Sequence, residues 1–199
     1  MMNVNNVEIL DQYNIKCLFH MTHIDNVANI LGHGLLAHGN PYQREDISDC
    51  DVNSRRSRSE PIYHKPIHSY VPFYFNPKNN MLSKRRSIQK NIVILVLKRE
   101  LILSNGALFT NGNASVDRTQ FSNNLDNLSE LNWECINTNG YYSGYDDGAN
   151  KRMAEVLVPD FVDTKNILGI ICNNSLTKAK LDALTHNKIE SSVSTGFYF

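Results

Sequence analysis

The segment NIVILVLK, residues 91–98, constrains the fold more than any other stretch of this chain. Its run of apolar and β-branched residues lacks polar alternation, so it reads as a buried central strand. A second apolar segment, Met153–Val158, also reads as a strand, and Pro159 stops it. Yet Glu155 stands between Ala154 and Val156, and on a strand it shares a face with Met153 and Leu157. A lone carboxylate there would lose several kcal/mol of hydration, so it needs a partner. Two partners suggest themselves. Lys151 or Arg152 could pair with Glu155 on a half-exposed edge strand. Alternatively, Glu155 forms the floor of a cleft, where it accepts hydrogen bonds from a sugar hydroxyl and offsets positive charge as it develops.

Around these segments the chain reads as mixed structure. Ile15–Thr22 is a first strand, followed by a helix capped by Asp25 and ended by Gly32 or Gly34. Residues 38–69 read as a long polar loop with room for a short helix, and loops of that length in a compact domain are usually functional or disordered. Ser69–Pro77 is an aromatic strand whose internal Pro72 makes it an edge or bulged strand. A helix is expected across QFSNNLDNLSELNWECI, residues 120–136, then a Tyr- and Gly-rich loop, NTNGYYSGYDDGANK. NILGIICN is another strand, TKAKLDALTH a helix, and GFYF a short final strand. This order lacks the regular alternation of a doubly wound fold and points to α+β with a mainly antiparallel sheet, in a single domain over residues 1–199.

Composition narrows the function. Twenty basic residues balance twenty acidic ones, so no whole-molecule positive field exists and a nucleic-acid partner must be held by a local patch. RRSR, Arg55–Arg58, and KRR, Lys84–Arg86, are candidates, each equally readable as a solvated loop. Cys17, Cys50, Cys135 and Cys172 form no C-x-x-C pair, which argues against a zinc knuckle and a disulfide framework. Pro66 between His64 and His68 keeps that pair off a regular helix, so no metal is expected. The N-terminus does not read as a signal peptide and no apolar run is long enough to span a bilayer, so a soluble, cytoplasmic protein is expected. His20 and Thr22 leave the first strand by one face; they are either satisfied core residues or a small polar pocket. Phe73–Phe75 is either plain core or a ring set over a flat heterocycle.

Five fragments in order, LFHMTHIDNVANILGHGLLAH, RRSR, SYVPFYFNPKNNML, LNWECI and KRMAEVLVP, resemble the DarT toxins over roughly residues 18–160. These are bacterial ADP-ribosyltransferases that act on DNA bases. The resemblance implies a fold related to poly-ADP-ribose polymerases, two mainly antiparallel sheets flanking an NAD cleft. It implies NAD as co-substrate, transfer of ADP-ribose to a base in single-stranded DNA, release of nicotinamide, and a DarG-like macrodomain antitoxin as partner. By that likeness Glu155 and Arg56 match the catalytic pair. His20, Met21, Thr22, Asn26, Arg56, Tyr74 and Met81 match NAD-binding positions, with 38–69 as the NAD-site loop region. Residues 109–150 match the substrate-recognition loop region, with Asn113, Tyr141, Tyr142, Tyr145 and Arg152 as DNA-binding candidates. Where many members show Thr-Asp-x-His, this chain has Thr110, Asn111, Gly112 and Asn113. The family modifies thymine in one branch and guanine in another, and the missing imidazole tips the expectation towards guanine. Two other readings stay open: a non-catalytic nucleic-acid-binding module built on the basic stretches, and transfer to RNA or protein.

Overall fold

Residues Ile92–Lys98 form a strand with neighbours on both sides, as the apolar run requires. The structure, a computed structural model, describes residues 4–47, 54–138 and 141–199. Cys50 lies outside the described residues. In chain order the strands are β1 (Cys17–His23), β2 (Leu35–Leu36), β3 (Tyr70–Tyr74), β4 (Ile92–Lys98), β5 (Leu108–Thr110), β6 (Phe121–Ser122), β7 (Glu155–Pro159), β8 (Phe161–Val162), β9 (Ile167–Cys172) and β10 (Ser191–Val193). The α-helices are α1 (Val4–Gln12), α2 (Val27–His33), α3 (Asn80–Lys84), α4 (Trp133–Asn137), α5 (Gly148–Lys151) and α6 (Ser175–Thr185).

Eight strands run in the order β10-β9-β4-β1-β3-β7-β5-β6, and β2 pairs with β8 separately. Every pairing is antiparallel except β10 with β9. The two sheets expected for the fold are the two halves of this array. β1 pairs with β4 along its whole length, and β3 with β7 along its whole length, but β1 and β3 share a single register pair, Phe19↔Tyr74.

Pro72 accounts for that seam. Its carbonyl accepts a hydrogen bond from His20 Nδ1 at 2.9 Å, so it faces β1. The nitrogen and carbonyl of one strand residue point the same way, so the missing N–H also falls on the seam, and no bond to β7 is lost. β3 is therefore an interior strand between β1 and β7 and neither an edge nor a bulged strand as its proline suggested; Pro72 is tolerated there because its missing N–H falls on the sparsely bonded seam.

One face of the sheet carries the main core: Leu18, Phe73, Val93, Leu95, Phe109, Val156 and Val158 pack with Leu10 of α1, Val27 of α2 and Leu181 of α6. The opposite face carries Phe19, Met21, Tyr74, Ile94 and Ile171 with Leu82 of α3 and with Tyr198. The alternation along β7 places Glu155 and Leu157 away from the main core, as their spacing predicts.

Several expected elements differ. Glu155 opens its strand instead of lying mid-strand. The helix expected over 120–136 is broken into β6, a 3-10 segment (Leu125–Glu130) and the short α4. Asparagines cause the breaks: Asn124 accepts from Asp126 N and Asn132 from Cys135 N, each starting a new segment. Asp25 is no cap; His23 accepts from Asp25 N, and a 3-10 turn precedes α2. Gly34, at φ 82°, ends that helix as expected. GFYF forms no strand; Thr195–Phe197 is a 3-10 turn, and the edge strand is Ser191–Val193.

Candidate active site

The split between β1 and β3 opens into a cleft of about 400 Å³. His20, Met21 and Thr22 of β1 line one side, and Pro72 and Tyr74 of β3 the other. Met81 of α3, Arg56, Arg118, Asn113, Asn150 and the segment around Asn40–Ile47 complete the wall. A volume of this order suits a small-molecule ligand.

Glu155 lies behind this wall with no exposed surface. Arg56 donates to it twice, Nη2 to Oε2 at 2.9 Å and Nη1 to Oε1 at 3.3 Å. Ala114 N donates to Oε1 at 2.7 Å. Thr110 Oγ1 accepts from Glu155 N at 3.2 Å and so fixes the backbone beneath the carboxylate. The partner is therefore Arg56, ninety-nine residues away in sequence, and neither Lys151 nor Arg152. Burial works against the Arg56 charge, but Glu155 outweighs it and raises the guanidinium above its ordinary value. Tyr74 stands opposite Glu155 in register; burial first, and the Glu155 charge second, push its phenol well above the usual range.

Three occupied acceptor positions out of about four leave Oε2 with one to offer. Arg56 lies between the carboxylate and the cleft, so the pair acts as a unit. His20 donates from Nδ1 to Pro72, which leaves Nε2 as an acceptor on the cleft wall. Burial holds this imidazole below its ordinary value despite the Pro72 carbonyl, so it is neutral at pH 7. Thr22 Oγ1 accepts from Asn26 Nδ2 at 3.1 Å and keeps its own hydrogen for a ligand.

The other expected site residues divide. Met81 lines the cleft, and Met21 reaches it from the second core cluster. Asn26 borders the cleft but turns its amide to the protein. It donates to Thr22 Oγ1 and Glu45 O and accepts from Arg44 N and Glu45 N. It straps the 44–45 segment to β1 and presents no free group. Asn113 also lines the cleft, with its Oδ1 held by Ser115 N at 2.9 Å. Tyr142 donates to Asn80 Oδ1 at 2.7 Å, tying its loop to α3. Tyr145 bonds Glu134, and Tyr141 is 93% exposed; neither lines the cleft. Arg152 does not face a substrate at all. It is 3% exposed and donates to the carbonyls of Lys78, Cys135 and Ile136, because a guanidinium with those partners is far cheaper to bury than a free one. His68 stacks on His38 at 4.4 Å, and no cluster of three or more metal-ligating side chains occurs among the described residues.

Sequence reasoning missed Ala114, whose contribution is a backbone N–H, and Thr110 as a cradle for the Glu155 backbone. It also missed Asn150, which accepts from Asn113 N at 2.9 Å and donates to Asp147. Gly112 lies so close to that amide that an added Cβ would stand 2.6 Å from Asn150 Nδ2. Among the described residues no helix is long and apolar enough to cross a membrane.

Comparison with known proteins agrees with this geometry. A family model described as "DarT: ssDNA thymidine ADP-ribosyltransferase" matches residues 19–199. A DNA ADP-ribosyl transferase of Thermus sp. (strain 2.9) is 32% identical over 155 residues, covering 71% of this chain and 73% of the relative. A DNA ADP-ribosyl transferase-DNA ADP-ribosyl glycohydrolase fusion protein of Thermosipho africanus is 28% identical over 180 residues, 86% of this chain and 46% of the fusion. The solved structure of Thermus sp. 2.9 DarT in complex with ADP-ribosylated ssDNA superposes with a TM-score of 0.84 at 25% identity, covering 93% of this chain and 97% of that one. The cleft, the buried acid behind it and the match along nearly all of the chain lead to one assignment: the chain belongs to the DarT family of DNA ADP-ribosyltransferases.

Proposed function

We propose that the Arg56–Glu155 pair drives transfer of ADP-ribose from NAD to a base of single-stranded DNA. The observation that carries this reading is a fully buried carboxylate, held by a bidentate arginine and a backbone N–H, directly behind a cleft of about 400 Å³. The residues fit such a ligand: a neutral imidazole acceptor and a hydroxyl donor on β1, and the Tyr74 ring on β3. When bound, NAD would supply an ADP-ribosyl group: the bond from its anomeric carbon to nicotinamide breaks, a ring nitrogen of the base forms the new bond to that carbon, and the ring-nitrogen proton passes to solvent.

Glu155 accepts a hydrogen bond from a ribose hydroxyl at its remaining Oε2 position, with Arg56 tilting aside to allow the approach. Its charge offsets the positive charge that grows at the anomeric carbon. Arg56 cannot serve as the base that removes the proton, because Glu155 holds it charged; it polarises the acceptor instead. His20 Nε2 and the Thr22 hydroxyl grip the sugar and nicotinamide ends. Residues 38–47 and 54–69 wall the NAD end, and Asn113 with the Tyr141–Tyr145 loop presents the DNA. The family's description names thymidine, and the Asn113 amide is already held by Ser115, so its difference from histidine carries little base information. Thymine is therefore the proposed acceptor, against the lean towards guanine in the sequence. The Thermosipho relative, a transferase fused to a DNA ADP-ribosyl glycohydrolase, supports a partner that removes the modification; we take that partner to be a macrodomain antitoxin and the chain to be its cytoplasmic toxin.

The test is a mass shift on oligo-dT and on dG-containing single strands mixed with protein and NAD. Wild type modifies the thymine strand, and Glu155→Gln lowers the rate by at least about 10²-fold while NAD still raises the melting temperature. Transfer to RNA or protein in place of DNA, or an unimpaired Glu155→Gln, would overturn the reading.

A further inference from the structure

The RRSR motif first reads as a nucleic-acid patch, yet it is turned largely inward. Burial alternates along it: Glu60 is buried and Arg56 and Arg58 are half-buried, while Arg55, Ser57 and Ser59 are exposed. Backbone bonds His68 N to Arg56 O at 3.1 Å and Ile67 N to Arg58 O at 3.0 Å pin the segment against residues 67–68. Its far end is knotted by Glu60, whose carboxylate accepts from the N–H groups of Ile62, Tyr63 and Lys65 and from the Tyr70 hydroxyl.

Two residues after Arg56, the Arg58 guanidinium reaches a different target. Its Nη2 donates to Ala114 O at 2.9 Å and to Val116 O at 2.8 Å, and its Nη1 pairs with Asp117. These carbonyls belong to the turn whose Ala114 N–H donates to Glu155 Oε1. Arg56 thus grips the carboxylate directly, and Arg58 grips the backbone that supplies its third hydrogen bond. The turn is also held by Ser115 N donating to Asn113 Oδ1, by Thr119 Oγ1 and Val116 N donating to Asn113 O, by Thr119 N donating to Val116 O and by Asn113 N donating to Asn150 Oδ1, but none of these bonds holds the Ala114 carbonyl.

We propose that Arg58 is a positioning residue for Glu155: by clamping the Ala114 and Val116 carbonyls it aims the Ala114 N–H at the catalytic carboxylate. This rests on the reading of Glu155 given above. Asp117 is 95% exposed, so its ion pair with Arg58 is solvated and incidental. The functional part of Arg58 is the fork on the two carbonyls, which a lysine reproduces only in part.

The experiment pairs kinetics with amide exchange on the full chain. Arg58→Ala lowers kcat by about 10- to 100-fold at saturating NAD and oligonucleotide, the size expected for a small misplacement of a reacting group. KM for NAD and for DNA stays near wild type, Arg58→Lys recovers part of the loss, and added guanidinium ion recovers part of it in Arg58→Ala. Asp117→Asn runs at the wild-type rate. Independently of catalysis, the Ala114 amide exchanges faster with solvent in Arg58→Ala, while amides of β4 keep their protection. Unchanged Ala114 exchange overturns the proposal whether or not the enzyme is active. A raised KM for DNA at intact kcat also overturns it, making Arg58 a DNA contact. So does an Asp117→Asn loss equal to that of Arg58→Ala. An inactive wild type with the predicted exchange pattern would instead count against the assigned reaction and leave the clamp standing.

Discussion

Two bidentate arginine–carboxylate pairs flank the cleft, and they are opposites. Arg56 and Glu155 are 12% and 0% exposed in their side chains, whereas Arg118 and Asp147 are 67% and 24% exposed. Both forks have good geometry; Arg118 Nε meets Asp147 Oδ2 at 2.8 Å. Surroundings make the difference. The inner pair has lost its water, so its members depend on each other and on Ala114 N–H; the outer pair can exchange either partner for solvent at little cost. The contrast separates a fixed, buried floor from an adjustable, solvated rim.

Removing one arginine from each pair is the most direct way to break that comparison. Arg56→Ala leaves Glu155 buried without its counter-ion and should destabilise the fold by about 3–5 kcal/mol in urea titration, with activity lost. Arg56→Ala melting like wild type would show that water reaches Glu155 and that the inner pair is no different from the outer one. A smaller effect belongs to Glu60, which holds the segment bearing Arg56. Burial opposes its charge, but the N–H groups of Lys65, Tyr63 and Ile62 and the Tyr70 hydroxyl together hold its carboxyl below the usual value. Its stabilising share is present above the ordinary carboxylate range and lost as pH falls through its own lower value. Glu60→Gln should cost roughly 1.5–3 kcal/mol near neutrality and flatten the acid limb of the stability curve.

His20 sharpens the contrast from the inner side. Its depressed pKa means that below about pH 6.5 the unfolded chain takes up a proton the folded chain resists. Its influence on stability is therefore nil above that pH and increasingly unfavourable beneath it. His20→Asn, which keeps a donor for Pro72, should show a shallower fall in melting temperature on acidification. Arg118→Ala is the mildest change: the melting temperature should not move, while KM for the oligonucleotide rises and its salt dependence weakens. A large loss of stability from this substitution would remove the distinction between floor and rim.

What the sequence discloses follows from how local each feature is. The β4 run, the shared face of His20 and Thr22 on β1 and the glycine after α2 are local patterns, and all three appear as expected. Glu155 stands out because it breaks the pattern of its own strand. Its partner could not be read by any spacing rule, since Arg56 arrives from a loop with no periodicity. The broken helix over 120–136 shows apolar spacing being overruled by asparagine side chains that bond nearby N–H groups. Arg152, next to Lys151 and near Glu155 in sequence, looks like a site residue, but the carbonyls that claim it lie on α4 and beside α3. Ala114 acts through its backbone, which no residue type announces.

Pro72 has a lasting mechanical consequence. A strand residue with a free N–H at this place could extend hydrogen bonding from Phe19↔Tyr74 along β1 and zip the two half-sheets together. With proline there, and its carbonyl committed to His20, the crack cannot heal. Widening it costs little more than the Phe19↔Tyr74 bridge and the His20–Pro72 bond, so the enzyme keeps a weak line through the middle of its own sheet.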